Sequence, residues 1–255
     1  MAKKYLEFIE EVNMKRFMML LSILIICFPA QRIFSQTAEE IKAEVIKAHG
    51  GEERLRSVKN LVINGKAESH DENGPTVSFR FIIVYPDKFR YTFNIQDTHA
   101  EFASNGTTCW NVNPMFGIEE PTEMNTNEAL EQKHQLDYLI PFLDKYKIHS
   151  IKNKGNLKEG KKEYFILKVE YKDGYFADYF IDKESFLIAK RREIHGHDGG
   201  GESELIYSLS DYNDVKGIKL PFKFRSSKAT LIYTIDSYEI NAGNLDDSIF
   251  EMPKK

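Results

Sequence analysis

The sequence predicts a mainly antiparallel β protein, one sheet built largely from hairpins. Three observations carry this. From Asn60 onward apolar residues recur with a period of two, except across 114–162. Turn residues punctuate those runs at short, regular intervals. Finally, 18 Phe and 13 Tyr bias the chain toward side chains that suit a half-buried pleated surface.

The opening 35 residues stand apart from that pattern. Met14-Lys15-Arg16 is a basic start, and Phe17–Phe28 is an apolar stretch too short for a bilayer, which needs about 20 residues. The polar PAQRIFSQ follows, so residues 1–35 read as a secretory signal peptide cleaved near Ser35, with Met14 as an alternative true start. Ile25 and Ile26 stand before Cys27 where lipidation expects a small residue, so a lipid-anchored form is not expected. Without that segment Cys109 is alone and no intramolecular disulfide forms, which fits a bacterial periplasm. The segment carries five Lys/Arg (residues 3, 4, 15, 16 and 32) and three Asp/Glu (7, 10 and 11). The remainder therefore holds 30 basic and 36 acidic residues, a net charge near −6. No basic footprint for nucleic acid is left.

The mature chain, 37–255, reads as one domain. Thr37, with Glu40 three residues on, matches a capping box and opens a helix. Ile41, Val45, Ile46 and Ala48 give that helix an apolar face, and Gly50-Gly51 stop it. His49 is expected to act as a cation beside the negative helix end. A short second turn of helix spans EERLRSVKN.

Strands follow. Leu61, Ile63, Gly65 and Ala67 share one face, then DENG turns. Val77, Phe79, Phe81, Ile83 and Tyr85 line one side of the next run, and Phe89, Tyr91, Phe93 and Ile95 line the one after. A hairpin turns at Asn105-Gly106 and leads into TTCWNV. PMFGIEEPTEMN lacks any period and reads as a loop. The stretch 126–147 reads as helix interrupted at Pro141, with Leu130, His134, Leu136, Leu139, Ile140, Phe142 and Leu143 on its apolar side. Strands resume at EYFILKVEY and continue to the C-terminus.

Chemistry-bearing motifs are sparse. His195 and His197 lie in HGHDGGGESE, whose glycine run reads as a hairpin tip and not as a metal site. No Gly-rich phosphate loop, HExxH pair, zinc-type cysteine spacing or Gly-x-Ser-x-Gly elbow is present. Catalysis is therefore not expected, and an enzyme would need a polar cluster inside the sheet, where the inward positions offer mainly Tyr hydroxyls. The bulky inward sets on adjacent strands, with the apolar stretch around Ile140-Pro141-Phe142 as a cover, instead predict an apolar cavity.

Three segments resemble the LolA/LolB-like outer-membrane lipoprotein-sorting family. They are YPDKFRYTF, FASNGTTCWNVNP and, near the C-terminus, SIFEMP; the order of elements over Thr37–Pro253 also fits. The resemblance implies an incomplete, strongly curved antiparallel β-barrel, a half-barrel, with an N-terminal helix and a central helical segment covering the open side. It implies a periplasmic, monomeric carrier of lipoprotein acyl chains or another lipid, working with inner- and outer-membrane lipoprotein-handling proteins and needing no cofactor. It also implies a strand arginine that tethers the cover, for which Arg80 and Arg90 are candidates, Arg90 the better match. The expected acyl-binding residues are Phe79, Phe81, Phe89, Tyr91, Phe93 and Trp110, with Leu139 and Phe142 from the cover. The alternative is a non-catalytic envelope scaffold that fills the same half-barrel with its own aromatics.

Overall fold

The structure, a computed structural model, describes residues 36–69, 74–143, 147–196, 202–228 and 231–254. The expected signal peptide, most of the DENG turn and the glycine run at 197–201 lie outside these residues. Among the described residues, no helix is long and apolar enough to cross a membrane.

Helix α1 (Ala38–Ala48) starts on the predicted capping box. The Glu40 N–H donates to Thr37 Oγ1 at 3.2 Å, and the Thr37 N–H donates to Glu40 Oε2 at 2.7 Å. Ile41 and Val45 are fully buried on its inner face. Gly50 ends the helix at φ +125°, and a Cβ there would meet the Gly217 carbonyl at 2.3 Å. Only glycine lets the neighbouring turn pass that close. Helix α2 (Glu52–Ser57) follows and buries Leu55.

Among the described residues, thirteen antiparallel strands then form one sheet. In chain order they are β1 (Asn60–Ser69), β2 (Thr76–Val84), β3 (Lys88–Ile95), β4 (Thr98–Asn105), β5 (Cys109–Asn113) and β6 (Ile118–Glu123). After helix α3 (Thr126–His134) come β7 (Ile148–Glu159), β8 (Lys162–Tyr171), β9 (Phe176–Asp182), β10 (Ile188–Gly196), β11 (Glu202–Val215), β12 (Ile218–Ser226) and β13 (Leu231–Ile240). The spatial order is β6-β5-β4-β3-β2-β1-β13-β12-β11-β10-β9-β8-β7. Each half is thus a plain meander, and β1 joins the halves by pairing with β13. The ends β6 and β7 do not meet, so the sheet is a curved half-barrel and not a closed one.

Two strands depart from the sequence reading, and both are edges. β6 lies where a loop was expected, and its residues are half-buried or exposed throughout. β7 follows the cover and likewise buries no residue fully. An edge strand that packs little of either face has no need of alternating apolar residues, so it gives no period-two signal.

The core lies on the concave face, where side chains of α1, the strands and the segment after α3 form one cluster. The convex face of β1 and β2 carries a smaller one, in which Val62 and Ile82 pack on Phe250 of the C-terminal turn Asp247–Phe250. His49 corrects an expectation. Its ring is fully buried, its Nδ1 donates to the Val45 carbonyl at 2.8 Å, and its edge meets the Tyr212 ring. Burial pushes its pKa down to about 4, so it is a neutral core group and not a helix-end cation.

Candidate functional site

The concave wall of β2–β4 is aromatic because the register stacks like with like. Phe79 stands opposite Phe93, Phe81 opposite Tyr91 and Ile83 opposite Phe89. Phe79 and Phe81 stack at 4.6 Å between centroids, and Phe81 meets the edges of Tyr91 and Phe93 at 5.2 and 5.3 Å. Such pairs add about 0.5–1.5 kcal/mol each beyond their buried area. Gly65 makes room for the wall. A Cβ on it would lie 2.5 Å from the Phe79 ring, and a bulge in the β1–β13 pairing falls at that residue.

Five of the expected residues, Phe79, Phe81, Phe89, Tyr91 and Phe93, therefore stand on the concave face with Leu139 and Phe142. They are packed against one another: Phe79 is 3% and Phe81 4% exposed.

Trp110 is not among them. It pairs with Ala103, which pairs with Arg90, so alternation puts Trp110 on the convex face, and its indole N–H donates to the Phe250 carbonyl at 3.1 Å. Cys109 takes the concave position instead. The same alternation overturns both arginine candidates. Arg80 bonds Asn64 on the convex face. Arg90 grips both Glu101 oxygens there, at 2.6 and 3.1 Å, and donates to the Ile249 carbonyl, so it ties down the C-terminal segment.

The cover is shorter in helix than its sequence suggests. Asn125 and Glu128 form a capping box for α3, which ends at His134, and a 3-10 turn at Asp137–Leu139 follows. The helix itself is mostly half-buried, exposed only over Thr126–Glu128, and buries only His134. The apolar load falls on Leu136, Tyr138, Leu139, Phe142 and Leu143 after it. Phe142 has φ +62°, a left-handed conformation that is an outlier for a bulky side chain, and its ring meets Tyr179 edge-on at 5.2 Å.

Opposite the aromatic wall lies a polar one that sequence reasoning missed. Arg191 of β10 is fully buried; it pairs with Glu193 at 2.7 Å and donates to Tyr175 Oη at 2.8 Å. Its Nη1 also donates to the Gln135 carbonyl of the cover at 2.8 Å. Burial opposes its charge, but Tyr175 and Glu193 outweigh that and raise its pKa further. His134, 2% exposed, stacks on Tyr175 and sits between two carboxylates, with Nδ1 2.6 Å from Asp137 and Nε2 2.8 Å from Asp173. An imidazolium satisfies both contacts with two N–H donors, a neutral ring only one. Burial raises the Asp137 pKa, but His134, Arg191 and Lys147 outweigh it and hold the carboxyl below 3.8. The signal available in the sequence is the Arg191–Glu193 spacing, which puts both on one face of a strand.

A cavity of about 390 Å³ opens where the two walls, α2 and the cover meet. Leu55, Val58, Ile140, Phe142, Leu143 and Ile148 supply its apolar lining, while Arg56, Asp137 and Lys147 supply charge. Of the eight expected residues only Phe142 lines it. A smaller space of about 100 Å³ touches Phe81 and Phe93 beneath Leu136 and Tyr138. Among the described residues no group of three His, Cys, Asp or Glu is placed to hold a metal ion.

No protein-family model matches the chain, and no curated protein sequence matches it. Solved structures do. A LolA superfamily protein from Nitrosomonas europaea, NE2245, superposes with a TM-score of 0.56 at 10% identity, covering 85% of this chain and 98% of that one. A DUF1329 family protein from Desulfovibrio piger gives a TM-score of 0.50 at 11% identity, covering 83% and 97%. The chain has a LolA-like fold.

Proposed function

We propose that the chain is a periplasmic carrier that shelters the acyl chains of a lipoprotein, or of another lipid, beneath the cover of its half-barrel and moves them toward the outer membrane. The observation that carries this is the cavity between the walls: apolar in most of its lining, ligand-sized, and closed on one side by a segment that is held partly by polar bonds. Burying a methylene gains about 0.8 kcal/mol, so a dry space can compete with a bilayer for an acyl chain. Exchange needs a cover with two states that differ in their affinity for the cargo. The resemblance of the three sequence segments and the LolA-like fold support the same reading.

A second reading has its own observation in favour. The aromatic concave wall is filled by its own rings, as an envelope scaffold without lipid cargo would have it. Native mass spectrometry of the purified protein with a triacylated lipopeptide separates the two. The carrier is expected to hold the lipopeptide, and Ile140→Asp, at a half-buried lining position, is expected to release it without unfolding the protein. A folded protein that ignores the lipopeptide would leave the scaffold in front.

A further inference from the structure

The smaller space, of about 100 Å³, shares no lining residue with the larger cavity. Its walls differ in kind. Phe81, Phe93, Tyr138, Tyr207, Phe224 and Tyr233 are six of its nine lining residues, and Leu136 is the one aliphatic side chain among them. The rings run in a continuous arc. Phe93 meets Phe81 at 5.3 Å between centroids, and Phe81 stacks on Phe79 at 4.6 Å. Phe79 meets Tyr233 at 5.8 Å, and Tyr233 stacks on Phe224 at 4.3 Å. Tyr138 adds a ring from the cover and Tyr207 one from β11.

An acyl chain gains from buried area, whatever supplies it. A cation gains more from rings, whose faces are negative, and most where water is excluded. A guest filling so small a space touches the rings that line it. The charges behind the wall favour the same sign. Among the described residues no charged side chain lines the space. Burial raises the Tyr207 pKa, and Glu193 raises it further, more strongly than Arg191 lowers it. Of that buried ion pair, the carboxylate is therefore felt more on this side.

Size and hydrogen bonding narrow the cation. A primary ammonium would bring three N–H donors to a wall of rings, whereas a quaternary nitrogen brings none. Three methyl groups, each taking about the room of a water molecule in the liquid, roughly 30 Å³, fill about 100 Å³. We propose that this aromatic box binds a trimethylammonium group, carried by free choline or by the choline head of a lipid.

Calorimetric titration of the purified full chain compares choline with neohexyl alcohol, its neutral isostere with carbon in place of the nitrogen. Choline is expected to bind one to one and at least tenfold more tightly. In Phe93→Leu and in Tyr233→Leu, both at half-buried positions, that preference is expected to fall severalfold, with thermal melting verifying the fold. Two further arms use dihexanoyl phosphatidylcholine and the phosphatidylglycerol of equal chains, both below their micelle limits. Binding of the phosphatidylcholine in preference to the phosphatidylglycerol, without binding of choline, would uphold the assignment and make a lipid head the source. Equal binding of choline and the alcohol would overturn it, as would a preference that both variants keep. Two lipids that bind alike while choline does not, or no binding of any probe, would overturn it too. Lipopeptide binding, which tests the carrier reading, has no bearing on these outcomes.

Discussion

The two walls of the half-barrel hold the same cover by different physics. On β2–β4 the contacts are rings packed on rings, nearly dry, with the cover's Leu136 and Leu139 in the same cluster. On β8–β10 directional bonds join the packing of Phe142 on Tyr179: Arg191 donates to the Gln135 carbonyl, and His134 meets Asp173. Apolar packing has no preferred direction and contributes in proportion to area, so the first wall gives bulk stability. Charged hydrogen bonds inside a protein demand geometry, so the second fixes where the cover sits. The cavity opens where one kind of wall gives way to the other, with Tyr85 on one side and Tyr171 on the other. A core for stability and a latch for position can thus share one sheet.

The comparison is broken most directly at the centre of each wall. Phe81→Ala is expected to cost about 3–5 kcal/mol of unfolding free energy, as large cavities do. Arg191→Ala is expected to cost a similar amount, about 3–5 kcal/mol, by leaving Glu193 buried without its cation. The two differ in rescue. Arg191→Met combined with Glu193→Leu should recover most of the loss, because a packed apolar pair replaces a buried ion pair at little net cost. Urea denaturation reads all three, and a double variant as unstable as the single one would mean that the polar wall is not replaceable by packing.

Acid sharpens the contrast from a third position. His49 has its pKa lowered from 6.5 to about 4 by burial. Between those values the unfolded chain binds a proton that the native chain does not, so stability falls as pH drops through that window and is independent of this group above it. The expected loss is on the order of a few kcal/mol. Subtracting the curve of His49→Gln from that of the parent protein isolates it, and a flat difference from pH 7 to 4 would place a charged histidine in the core.

The smallest effect tests the faces themselves. Trp110→Phe removes one hydrogen bond on the convex side, to the Phe250 carbonyl, and should cost about 1 kcal/mol while leaving lipopeptide binding unchanged. Loss of binding in this variant would return Trp110 to the concave side.

Much of this architecture was legible because it is local. The capping box at Thr37 and Glu40 and the alternation of Phe79, Phe81, Phe89, Tyr91 and Phe93 depend on residues a few positions apart, and the structure keeps each. Where a second strand was needed to fix the parity, the reading slipped. Alternation along one strand places Trp110 on either face, because a shift of one residue between Cys109 and Trp110 exchanges the faces. The edge strands β6 and β7 left no pattern because little covers them.

By itself, then, the sequence determined a meandering antiparallel sheet, its helical start and the composition of its concave wall, all of which follow from side-chain period and turn chemistry. Only the tertiary structure decided that Arg191 and not Arg90 meets the cover, that His134 lies between carboxylates 3 and 39 residues away along the chain, and that the cavity opens beside the aromatic wall and not within it. Those facts depend on which distant elements close over which face. The free energy of burying a charge is set by its partners in space, and no window along the chain contains them.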